Sequence, residues 1–61
     1  MIMIQDLITQ MEQVLAEAQL DAAKFDGKGN KAAGTRVRKA MQTIKSLAQD
    51  VRVAVSEANK G

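Results

Sequence analysis

The sequence predicts an all-α protein, an antiparallel helical hairpin of two long amphipathic helices that dimerises into a four-helix bundle. Three observations predict it. Apolar residues recur in alternating steps of four and three along both halves of the chain, the heptad signature of helices packed along a seam. Proline is absent, and a short stretch containing Gly27 and Gly29 separates the two periodic segments. Phe25 is the only aromatic, so a core must be built from Ile, Leu, Val, Met and Ala. Such side chains suit narrow helix–helix seams better than a sheet sandwich.

The first helix is expected over about 3–26. Ile4, Ile8, Met11, Leu15, Ala18, Ala22 and Phe25 form its stripe, which Leu7 and Val14 widen, while Gln5, Thr9, Gln13, Glu17 and Asp21 make a solvated face. A turn is expected at 27–29, where Gly27 or Gly29 can take the left-handed conformation that ends a helix. Asn30 then caps the second helix, expected over about 30–59. There Val37, Met41, Ile44, Ala48, Val51, Val55 and Ala58 carry the heptad, with Ala40, Leu47 and Ala54 alongside.

The whole chain, 1–61, reads as one domain, and a domain of 61 residues is marginal by itself. With no Cys and no His, neither disulfides nor a Cys/His zinc site can support it. One hairpin cannot cover a double-width apolar stripe on each helix, whereas a second copy can. The expected assembly is a homodimer, with a tetramer as the next alternative.

Charge is divided along the chain. Residues 1–26 carry −4 and residues 27–61 carry +6, for a net +2. Such asymmetry points to an anionic partner for the second half, and an extended charge fits the phosphate backbone of duplex DNA better than a small anion. Lys31, Arg38, Lys45 and Arg52 stand seven residues apart, on one line about 31 Å long. Taking Ile44 as core-facing, that line lies about 80–140° around the helix, beside the seam. Gln42 and Gln49 border it, and Asp50 and Glu57 fall on the other flank near Arg36 and Lys39. The candidate nucleic-acid-binding residues are Lys28, Lys31, Arg36, Arg38, Lys39, Lys45 and Arg52. Backbone amides at the start of the second helix favour an anion as well. Gly34 inside that helix costs about 1 kcal/mol relative to alanine, so a nucleic-acid backbone or a neighbouring helix must approach closely there.

The same reading excludes other classes. Gly29 to Gly34-Thr35 has the spacing of a phosphate-binding loop, but Thr35-Arg36 stands where Lys-Ser/Thr is required and no strand precedes it. Glu12, Glu17, Asp21, Asp50 and Glu57 sit on helix surfaces with no pocket to tune them, and no base is present to activate Thr43, Ser46 or Ser56. An enzyme, a metal site and a cofactor are therefore not expected. The N-terminus lacks a basic leader segment, and no apolar run approaches about 20 residues. The expected location is the cytoplasm, with no membrane partner.

The stretch Lys28 to Lys39, KGNKAAGTRVRK, followed by a Lys-containing amphipathic helix, resembles the bacterial histone-H1-like family, best known from the chlamydial histone-H1-like proteins. The likeness covers most of the chain and is strongest over those twelve residues. It implies a DNA-binding, nucleoid-associated protein, with Lys31, Arg36, Arg38 and Lys39 at the matched basic positions. Longer members look like this domain followed by a Lys/Ala-rich tail, whereas this sequence stops at Gly61. The resemblance thus implies a short, tail-less version, self-associating and of modest DNA affinity. Two alternatives compete with it: a dimeric helical hairpin that binds RNA, and a pure oligomerisation module whose charges serve solubility.

Overall fold

The computed structural model describes residues 3–60. They form two helices, α1 (Ile4–Lys28) and α2 (Lys31–Asn59), packed against each other as a hairpin. The result is a rod of 51 × 15 × 14 Å.

Local chemistry sets the reversal. Gly29 adopts φ 62° and ψ 31°, and its N–H donates to the Phe25 carbonyl at 2.8 Å. A left-handed residue at a helix end is cheapest when it has no Cβ. Asn30 follows at once, its side-chain oxygen accepting from the Ala33 N–H at 3.1 Å. Stop and start signals are thus adjacent, so α1 continues through Gly27 and Lys28, two residues past the expected end. Of the two glycines offered for the turn, Gly29 takes the positive φ.

The seam differs from the expected stripe in a specific way. Leu7 and Ala18 on α1 and Ala33 on α2 are buried, with Ile4, Met11, Val14, Val37, Ala40, Ile44, Leu47, Val51 and Ala54 partly covered. These positions are also stepped by three and four. The residues expected to lead the first heptad, Ile8 and Leu15, stay 43% and 49% exposed, as do Met41 (44%) and Val55 (41%) on α2. A double-width stripe offers two heptad lines per helix, and one neighbouring helix can cover one of them. The Leu7/Val14 line of α1 and the Ala33/Ala40/Leu47/Ala54 line of α2 are the covered ones, and the alanines take little room between the helices. On the other line of each helix the large side chains, Ile8, Leu15, Met41 and Val55, stay exposed, while Ala22 and Ala48 are partly covered.

Phe25, expected in the core stripe, is 48% exposed. Its ring lies across Gly34, where an added Cβ would sit 2.7 Å from Cδ2 and 2.8 Å from Cε2. That contact answers the question Gly34 posed: the close approach is a neighbouring helix's aromatic ring. Burial remains thin, for no large side chain described is fully enclosed. The chain exposes 5044 Å², against about 3,900 Å² for a compact monomer of this mass.

Candidate nucleic-acid interface

The heptad repeat of α2 that puts Ile44 and Val51 into the seam also fixes where the cations go. Lys31, Arg38, Lys45 and Arg52 are all exposed. Among the described residues the ion pairs are Arg36–Asp21 and Lys60–Glu57, so no carboxylate described lies within 4.0 Å of these four. Shallow concavities link them. Arg38 and Lys39 line one of about 280 Å³ with Thr35 and Gln42. Gln42 is shared with the next, about 620 Å³, which Lys45, Ser46, Gln49 and Arg52 also line. A strip of cations interleaved with amides and hydroxyls therefore runs down the outer flank of α2. Such groups donate readily to phosphate oxygens.

Arg36 stands apart from this strip. Its Nε donates to Asp21 Oδ1 at 2.9 Å, with the arginine side chain 50% exposed and the aspartate 17%. The pair bridges α2 to α1 on the flank away from Arg38, a charge-assisted bond that also fixes the helices' relative height. Of the acidic residues that α1 carries on its surface, Asp21 is the one that engages Arg36. Positions 21 and 36 lie almost symmetrically about the Gly29–Asn30 reversal, and that symmetry is the signal by which the pair can be found once the turn is placed.

The remaining candidates scatter around the reversal. Lys28 is the last residue of α1, and Lys31 is the first of α2. The start of α2 is less open to an anion than its dipole suggests, because the Ala33 N–H is already bonded to Asn30. The Thr35 hydroxyl donates its one proton to the Lys31 carbonyl at 3.2 Å, so it is not among the strip's donors to phosphate. Among the described residues no cluster of acidic side chains could hold a metal ion, and no helix is long and apolar enough to cross a membrane.

A helical hairpin with a cationic flank along α2 defines a small basic interaction protein. The family described as Histone H1-like protein Hc1 matches residues 5–61, nearly the whole chain, and the protein belongs to that family. This is a family of structural DNA-binding proteins of the nucleoid and not of enzymes. No curated protein and no solved structure matches the chain.

Proposed function

We propose that the protein binds duplex DNA through its phosphates with little sequence preference, as a homodimeric four-helix bundle in the bacterial nucleoid. The observation that carries this reading is the run of exposed cations from Lys31 to Arg52 on a chain of the histone H1-like family. Lys28, Lys31, Arg38, Lys39, Lys45 and Arg52 are the proposed contact residues. Arg36 contributes less, because Asp21 already holds its Nε. Phe25 is the one aromatic, so there is no series of rings on which successive unpaired bases could stack. Among the described residues both helices belong to the hairpin, and neither projects as a separate recognition helix to read a groove edge. The bare apolar lines through Ile8, Leu15, Met41 and Val55 support the dimer, since a second copy covers both together.

The test is a mobility-shift titration with several unrelated duplexes at low salt, competed by RNA of equal length. Affinities within a few-fold of one another across the duplexes support the reading. Dependence on one sequence, a preference for RNA, or no shift at all contradicts it.

A further inference from the structure

The bare side of the hairpin has a charge pattern that specifies how a second copy docks. One groove is lined by Ala22, Phe25 and Asp26 of α1 together with Lys31, Gly34 and Arg38 of α2. These residues therefore share one side of the hairpin, whereas the Arg36–Asp21 bridge, about 160° around α2 from Arg38, lies on the other. Residues seven apart stay on nearly the same line, drifting about 20° per heptad. The apolar centre of this side therefore continues from Ala22 to Leu15 and Ile8, and from Gly34 to Met41, Ala48 and Val55. Of the eight large apolar side chains left exposed among the described residues, five belong here: Ile8, Leu15, Phe25, Met41 and Val55.

The two outer edges of this side are unlike. The α1 edge runs through Asp26, Gln19, Glu12 and Gln5, and the α2 edge through Lys31, Arg38, Lys45 and Arg52. Like Asp21 and Arg36, the members 26/31, 19/38, 12/45 and 5/52 stand at matching heights about the reversal. A two-fold axis parallel to the helices lays α1 of a second copy over α2 of the first without changing height. Asp26 and Glu12 of the second copy then meet Lys31 and Lys45, and Gln19 and Gln5 meet Arg38 and Arg52. A two-fold axis across the helices instead sets the basic edge against its own copy, and like charges face each other.

We infer that two copies dock through this side with the two-fold axis parallel to the helices, all four helix ends at the turns gathered at one end of the bundle. The inference rests on the homodimer reading and adds its orientation. The accessible area supports the occupant: the chain exposes 5044 Å², roughly 1,100 Å² more than a compact monomer, and a standard interface takes about 800 Å² from each partner. In this arrangement Lys31 and Lys45 are partly neutralised, while Arg38 and Arg52 face amides and keep their charge for phosphate. The α2 helices stand at diagonal corners, so the dimer carries its cationic flanks on opposite sides.

Sedimentation equilibrium of the full chain tests it, with helicity followed alongside. Each ion pair occurs twice in the dimer, so Glu12→Lys or Lys45→Glu alone raises the dimer Kd about tenfold or more. The combined Glu12→Lys/Lys45→Glu chain recovers most of the affinity. A second measurement uses the absence of native cysteine: chains carrying Leu15→Cys mixed with chains carrying Met41→Cys oxidise to mixed dimers in preference to like-with-like ones. A wild-type chain that sediments as a monomer overturns the homodimer reading and the docking with it. A stable dimer with no rescue, or one crosslinking like with like, overturns the docking alone.

Discussion

At Gly34 two effects of similar size oppose each other. Alanine gains about 1 kcal/mol of helix propensity over glycine, but its Cβ would stand 2.7 Å from the Phe25 ring. The ring is half exposed and can swing outward, at the cost of its packing against α2. Gly34→Ala is therefore expected to gain little in the natural background and about 1 kcal/mol when combined with Phe25→Ala. Urea unfolding of the four chains, read as a double-mutant cycle, measures the coupling. The Asp21–Arg36 bridge gives a second prediction at this scale. Asp21→Asn weakens the tie between the helices by about 0.5–1 kcal/mol and frees the Arg36 guanidinium, so stability falls while low-salt DNA affinity rises. Equal losses of both would show that the bridge serves only the fold.

At the scale of the helices, periodicity was legible and its choice of face was not. Alternating steps of four and three marked both segments as helices, and the glycines at 27 and 29 followed by Asn30 marked the reversal without saying which glycine ends α1, because caps act within one or two residues. The stripe on α1, however, was two heptad lines wide. Nothing within α1 distinguishes the Ile8/Leu15 line from the Leu7/Val14 line as the seam. That choice depends on which line of α2 has the small residues, and α2 places Ala33, Ala40 and Ala54 there. Phe25 illustrates the same limit. Its apolarity suggested the core, but its position near the reversal sets it over the one glycine that admits a ring. The cationic row on α2 was readable from the sequence, since exposed residues obey the same repeat as buried ones. The pairing of Arg36 with Asp21 was not, because it depends on the height of α1 beside α2.

The whole molecule is a thin rod with few enclosed side chains, and its properties follow from that. The hairpin encloses few side chains by itself, so the proposed dimer would couple stability to assembly, and unfolding is then expected to depend on protein concentration. The unfolding midpoint is expected to rise with concentration over the range in which the dimer forms, as thermal melts at several concentrations would record. A midpoint independent of concentration would mean that the hairpin is self-sufficient. The proposed dimer, with its cationic flanks on opposite sides, would have the geometry to hold two DNA segments at once.

The most direct test of phosphate recognition by the outer flank of α2 is the salt dependence of duplex-DNA affinity, compared between the natural chain and the Arg38→Ala/Lys39→Ala/Arg52→Ala variant. Removing one cation from a phosphate lowers the magnitude of the slope of log affinity against log salt by about one. The account predicts a steep slope for the natural chain and a slope shallower by about three per protomer engaged for the variant, with helicity and mass unchanged. Identical slopes for the two proteins would contradict it.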